Sequence, residues 1–233
     1  MSEKHSDETR AAERERRGGY LGYVAHEVRN PLSTALWSAE LLARMPPEER
    51  GGARGEKLTA MCLRSLGRVR QLVEDHFLCE RLDAQGLLVR PEGLPVRELL
   101  EEIAGRRTLD VGTVTVDVAP SALVLADRVL LDRALDALLA AAGRERAAVQ
   151  VTGREEGRQV VLRLAGRAPG PHSLEDPRRG SPADPKGRSL ALAVARRAAA
   201  ALGGTLVVEG DAFVLSLPRA EAYTASPDPA AHP

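Results

Sequence analysis

The sequence predicts an α+β chain: a long antiparallel helical hairpin that pairs with a second copy as a four-helix bundle, followed by an α/β sandwich. Three observations predict it. From Gly19 onward Leu21, Val24, Val28, Leu32, Ala35, Ala39 and Leu42 recur at three- and four-residue steps, the spacing of one apolar helical stripe. After a break, Glu56 to Asp83 resumes the same periodicity. Beyond Gln85-Gly86 short β-branched segments alternate with helical ones.

The first helix is expected to start near Glu8 and end at Met45, where Pro46-Pro47 and Gly51-Gly52 stop it. In the second, Leu58, Met61, Cys62, Ser65, Leu66, Val69, Leu72, Val73 and His76 share one face. Such a hairpin has too little core of its own, so its stripes call for a second copy and a homodimer. Strands are expected at Leu87–Val89, Val114–Val118, Leu123–Ala126, Ala148–Thr152, Val160–Ala165, Thr205–Glu209 and Phe213–Leu217. Helices are expected at Arg97–Gly105, Asp127–Gly143 and Gly187–Leu202. The division is therefore an N-terminal extension of the first helix (1–16), the hairpin (17–84), the α/β domain (87–218) and a Pro- and Ala-containing disordered tail (219–233).

Composition narrows the function classes. The 33 Lys and Arg balance the 33 Asp and Glu, so no global basic field favours nucleic acid or an anionic membrane. The apolar runs are too short to span a bilayer and the first 17 residues hold no apolar leader core, which predicts a soluble, cytoplasmic protein without membrane insertion. Cys62 and Cys79 are too far apart along one helix to pair and read as core thiols. No metal site is expected. His5 and His76 read as tail and bundle side chains.

The most informative segment is His26-Glu27-Val28-Arg29-Asn30-Pro31-Leu32. At about 100° per residue, His26 lies nearly opposite the apolar stripe, sharing an outward face with Asn30, Ser33 and Trp37, while Glu27 lies on the flank. Pro31 cannot donate to the carbonyl of Glu27 and is expected to kink the helix one turn past the imidazole. Trp37, about three turns on, reads either as a partner-docking anchor together with Ser33 or as an indole covered by the adjoining domain.

This string, with its lead-in Tyr20-Leu21-Gly22-Tyr23-Val24-Ala25 and the following Glu40-Leu41-Leu42, resembles the H box of two-component sensor histidine kinases. The resemblance extends from about Arg17 to Pro218 and implies a dimeric phosphoacceptor hairpin followed by the family's ATP-binding α/β domain. Ala199-Ala200-Ala201-Leu202-Gly203-Gly204-Thr205-Leu206 is similar to the passage that closes that domain.

At the ligand positions the chain departs from the family. The motif Asn-Leu-Leu-x-Asn-Ala, whose second asparagine holds Mg²⁺, is matched through Leu135, Leu138 and Leu139 with Ala137 and Ala141 in the asparagine columns. A register shifted by one residue would instead bring Asp136 to the first column. The motif Asp-x-Gly-x-Gly is matched by Gly166-Arg167-Ala168-Pro169-Gly170, without the aspartate that reads adenine. A missing partner of that kind costs about 1–3 kcal/mol. The motif Gly-x-Gly-Leu-Gly-Leu-Ala is matched by Gly187-Arg188-Ser189-Leu190-Ala191-Leu192-Ala193, with two of its glycines replaced. Arg188 remains as a residue that could hold an anion. The implied reading is a degenerate nucleotide domain at Ala137, Ala141, Gly166, Gly187 and Ala191, with no cofactor bound by this chain.

What the resemblance then implies is a phosphorelay protein. His26 is the phosphoacceptor, exchanging a phosphoryl group with the aspartate of a response-regulator receiver domain that supplies its own Mg²⁺. Glu27 either accepts the other ring N–H or is a plain solvated carboxylate. Asn30 stands where relatives with phosphatase activity carry a water-orienting amide, or is an ordinary exposed residue. The alternatives are a divergent ATP-dependent histidine kinase and a non-catalytic receiver-binding module.

Overall fold

The structure is a computed structural model that describes residues 2–107, 111–167, 174 and 188–220, with side chains from Val24 onward except at positions 188 and 189. The first helix, α1 (Ser2–Arg44), runs unbroken through Pro31 and begins earlier than expected, because its charged start is rich in helix-forming Glu, Lys, Arg and Ala. A single turn, α2 (Pro47–Arg50), opens on proline at its first position. Arg50 folds back to donate to the carbonyls of Met45 at 2.9 Å and Ala43 at 3.2 Å, capping the end of α1. The return helix, α3 (Ala53–Asp83), packs along α1.

The chain then builds β1 (Glu92–Pro95), α4 (Val96–Arg106), β2 (Val114–Asp117), β3 (Leu123–Ala126), α5 (Arg128–Ala142), β4 (Val149–Glu156), β5 (Gln159–Ala165), α6 (Arg188–Ala201), β6 (Thr205–Glu209) and β7 (Ala212–Pro218). The main sheet has the order β2-β4-β5-β7-β6, antiparallel throughout except for the parallel β2–β4 pair. A second, two-stranded sheet pairs β1 with β3. The two-residue turn Gly157-Arg158 joins β4 to β5, and glycine supplies its φ of +59°.

The α/β domain is a sandwich of sheet against helices. Its central helix α5 buries Leu130, Leu131, Leu135, Leu138 and Leu139 and packs on α6, α4 and the sheet. Phe213, Leu215, Leu162 and Leu164 complete the core from the strands. Asp127 caps α5 through Oδ1, which accepts from the amides of Val129 and Leu130, while Oδ2 accepts from the amide of Arg90 at 3.0 Å. That one carboxylate ties the connection from the hairpin to the start of α5.

One expectation is corrected. Leu87–Val89 is an extended connection, not a strand: Leu87 and Val89 pack on the core, but among the described residues they have no ladder partner and pairing begins only at Glu92. Leu32, Leu66 and Val73 of the helical stripes are exposed in the single chain, while α3 turns Leu72 and Cys79 toward the α/β domain.

Candidate functional site

The candidate site is built on the face of α1 that looks away from α3. His26, Asn30 and Ser33 are exposed there, and Trp37 keeps 55% of its surface open. Glu27 is half-buried on the flank. The helix thus brings the imidazole, amide, hydroxyl and indole onto one accessible surface, as the 100° spacing requires.

What positions His26 is the opposite face. Val24, two residues before it, is buried, and Val28, two after it, is partly buried. Both pack in a compact cluster with Leu72 and Cys79 of α3 and with Leu190 and Val194 of α6. The α/β domain therefore braces the turn of α1 that carries the histidine. Further along α1, Ala35 is buried, and the buried Ser38 donates to the carbonyl of Thr34 at 2.7 Å.

Charged contacts extend the seam between hairpin and domain. Asp75 of α3, 1% exposed, accepts two hydrogen bonds on Oδ1 from Arg133 of α5, at 2.7 and 3.2 Å. Burial pushes the Asp75 carboxyl above the usual aspartate range, and the charge and hydrogen bonds of Arg133, with Gln71 and Arg68 behind them, pull it part of the way back. Oδ2 of the same carboxylate is buried without a hydrogen-bond partner. Arg133 also lies 3.5 Å from the exposed Glu74, and Arg197 of α6 donates to Asp83 at 2.7 Å.

The seam encloses a half-open cavity of about 430 Å³. Arg64, Arg68 and Asp75 of α3 face Arg133 and Asp136 of α5 across it, and Arg107 holds Asp136 by a two-pronged ion pair. Of the positions expected at a nucleotide, Ala137 and Ala191 line this cavity. Ala141 does not: it is buried in the domain core, so Ala137, Asp136 and Ala140 form the cavity face of α5. The helix turns those residues outward at steps of three and four, which leaves position 141 pointing inward. Gly166 ends β5 against α5, where a Cβ would come within 2.7 Å of the carbonyl oxygen of Ala142. Gly170 and Gly187 lie outside the described residues, as does the side chain of Arg188.

Among the described residues, no group of three or more His, Cys, Asp or Glu side chains converges as a metal site. Nor is any helix long and apolar enough to cross a membrane. Sequence reading missed the seam, although one signal was present. Leu72, Asp75 and Cys79 stand at steps of three and four, placing a carboxylate within a buried stripe.

Comparison with known proteins agrees with this geometry. Residues 16–85 match the His Kinase A (phospho-acceptor) domain family, which spans α1 beyond its charged start, the turn and all of α3. The histidine kinase AdeS of Acinetobacter baumannii superposes with a TM-score of 0.62 at 19% identity, covering 84% of this chain and 98% of that one. Full-length ShkA, solved in complex with AMPPNP, superposes with a TM-score of 0.60 at 23% identity, covering 88% of this chain, which spans 46% of ShkA. Residues 16–85 thus match the His Kinase A (phospho-acceptor) domain family, and the chain as a whole shares the fold of the histidine kinase AdeS and of ShkA.

Proposed function

We propose that this protein is a phosphorelay carrier: His26 takes a phosphoryl group from the aspartyl phosphate of a response-regulator receiver domain and returns it to another. The observation that supports this over ATP-dependent autophosphorylation is the wall opposite the hairpin. It offers methyl groups at Ala137, Ala140 and Ala191, and its carboxylate at position 136 is already held by Arg107. That set of donors does not suit a Mg²⁺-bound triphosphate, since a methyl carries no oxygen and guanidinium groups repel the metal.

The transfer asks little of the carrier. A lone pair on one ring nitrogen of His26 attacks phosphorus in line; the N–P bond forms as the acyl O–P bond breaks and the aspartate leaves as a carboxylate. The proton on the second ring nitrogen passes to solvent or to Glu27. The receiver's own Mg²⁺ neutralises charge on the phosphoryl oxygens. Asn30, one turn from His26 on the open face, is placed to orient a water toward a docked receiver, which would give a second, phosphatase activity. Trp37 and Ser33 extend that face as a docking surface, with an exposed indole as its apolar anchor.

The working unit is a homodimer. Leu32 and Leu36 on α1 and Leu63, Leu66, Val73 and Phe77 on α3 remain exposed in the single chain, away from the seam. Six large apolar side chains along two helices form the stripe that a second hairpin would cover as a four-helix bundle.

A phosphotransfer profile tests the reading. The protein is incubated with γ-labelled ATP and Mg²⁺, and separately with labelled phospho-receivers. Acid-labile label from a receiver, absent in His26→Gln, is the expected result, and Asn30→Ala is expected to slow loss of receiver label. Label arriving from ATP alone would make the chain a divergent kinase. Receiver binding without any exchange would make it a non-catalytic module.

A further inference from the structure

We propose that Arg29 holds the phosphoryl group once His26 is loaded, its guanidinium donating to the phosphoryl oxygens and so favouring the phosphorylated state of the carrier. This role rests on the relay reading and adds to it a phosphoryl-binding side chain on the same turn of α1.

Three observations carry it. First, the helix sets Arg29 beside the imidazole. Arg29 follows His26 by three positions within α1, and both are exposed. Residues at that spacing are neighbours on a helix surface. Long helical side chains also lean toward the N-terminus, over the residues three and four before them, which for Arg29 are His26 and Ala25. Glu27, the other charged residue within one turn of His26, is next to it in sequence, and consecutive residues diverge by about 100° around the helix. Of the two, Arg29 is therefore the one that shares the face of the ring.

Second, the guanidinium is uncommitted. Among the described residues Arg29 makes no ion pair or hydrogen bond through its side chain. The positions three and four away from it in either direction are Ala25, His26, Leu32 and Ser33, none of them acidic. Where a carboxylate does stand one turn from an arginine, the two pair, as Arg70 does with Glu74 on α3 and Arg97 with Glu101 on α4. The turn before His26, Tyr20-Leu21-Gly22-Tyr23, is uncharged. From behind, α3 and α6 meet this part of α1 through Leu72, Cys79, Leu190 and Val194, which carry no charge either.

Third, loading creates the charge that an arginine answers. A phosphoryl group brings three acceptor oxygens and about two negative charges to a neutral ring. A forked guanidinium meets two such oxygens at once. Glu27 on the flank adds a like charge, which Arg29 offsets. The reach is also kept constant, because Val28, between the two side chains in sequence, is packed against Leu72 and Val194 and fixes the backbone from which Arg29 extends. In so exposed a place the pair is worth a few-fold rather than orders of magnitude. That is enough to bias the partition of the phosphoryl group toward His26 and away from a receiver aspartate without trapping it there.

The test loads the full chain with phosphoramidate, so that no receiver is needed. A ring nitrogen of His26 forms the N–P bond as the bond from phosphorus to the amine breaks; ammonia leaves and the ring proton passes to solvent. Phosphorus NMR then follows the pH titration of the phosphohistidine signal, assigned by its absence in His26→Gln. Arg29→Gln is expected to raise the midpoint of that titration by about half a pH unit, since the dianion loses its cation, and Arg29→Lys to raise it less. Circular dichroism and the mass by light scattering should match the parent. In exchange with a labelled phospho-receiver, the equilibrium ratio of label on the protein to label on the receiver should fall about threefold in Arg29→Gln. Equal midpoints in parent and Arg29→Gln overturn the proposal, as does a changed oligomeric state in that variant, which would give Arg29 to the contact between copies. A His26 that phosphoramidate leaves unphosphorylated overturns it too. The relay reading fails separately, when no receiver labels any variant while the phosphorus titration still shifts.

Discussion

Substituting Arg133 by methionine isolates the charge of Asp75 at the seam. Removing one partner of a buried ion pair costs about 3–5 kcal/mol, because the remaining charge stays in a poorly solvated place. Here the lower end applies. The Arg133 side chain is 28% exposed, and its second contact, to Glu74 at 3.5 Å, is a solvated pair that adds little. About 3 kcal/mol is therefore expected at neutral pH, read as the loss in urea-denaturation stability followed by circular dichroism.

The pH dependence makes the test specific. The carboxyl of Asp75 already titrates above its ordinary 3.8 because burial outweighs the pull of Arg133. A carboxyl raised in the folded state lowers stability at pH above its folded value, and that loss is recovered as pH falls through the raised value toward 3.8. Without Arg133 the folded value climbs further, so the window moves up and widens. The deficit of Arg133→Met relative to the parent should accordingly be largest at neutral pH and shrink at acidic pH, once Asp75 is protonated and no longer needs a guanidinium. Taking the difference between variant and parent removes most of the titration of other groups. The double substitution Asp75→Leu with Arg133→Met should lie within about 1 kcal/mol of the parent, since it removes both charges at once. A deficit that is the same at both pH values, or a double variant as weak as the single, would refute the argument.

Other expectations follow from the same packing. Leu72→Ala, at a fully buried position where α1, α3 and α6 meet, should cost about 3 kcal/mol in the same denaturation assay. Phe77→Asp, at a side chain 61% exposed, should leave the dichroism of the chain intact yet yield a monomer by light scattering. Gly204→Ala should cost about 1–3 kcal/mol, because its Cβ would sit 2.1 Å from the carbonyl oxygen of Ser216 on the paired strand. His26→Gln, at an exposed position, should change stability by no more than about 0.5 kcal/mol while abolishing phosphoryl transfer.

The elements were legible wherever local pattern and burial coincide. The outward placement of His26, Asn30, Ser33 and Trp37 follows from helical spacing alone, and the structure keeps it. The strand Glu92–Pro95 was not legible: it contains Gly93 and Pro95, and it exists because Leu94 reaches the core while its backbone pairs with β3. The division of the apolar stripe on α3 was hidden for a related reason. Leu72 and Cys79 turn toward α6, whereas Leu66 and Val73 turn to solvent, and the choice between them is made by a domain much further along the chain. The partners Asp75 and Arg133 lie 58 positions apart, a distance over which no local pattern speaks.

The seam bears on what the α/β domain is for. A domain that delivers a phosphoryl group to His26 and then clears the way for a receiver must change its place on the hairpin. To leave the place it occupies here, it would have to uncover Val24, Leu72, Cys79, Leu190 and Val194 and separate a buried carboxylate from its arginine. Apolar exposure and charge separation together amount to at least several kcal/mol. A population shift of that size demands a ligand with a comparable preference for the undocked state. A receiver, by contrast, needs no such change to reach His26, which is open to solvent while the opposite side of the same helical turn is braced by α6. The domain then acts as a fixed support for the turn of α1 that carries His26. Weakening the seam with Arg133→Met should then slow exchange with a receiver by loosening that support, rather than release a latent reaction with ATP.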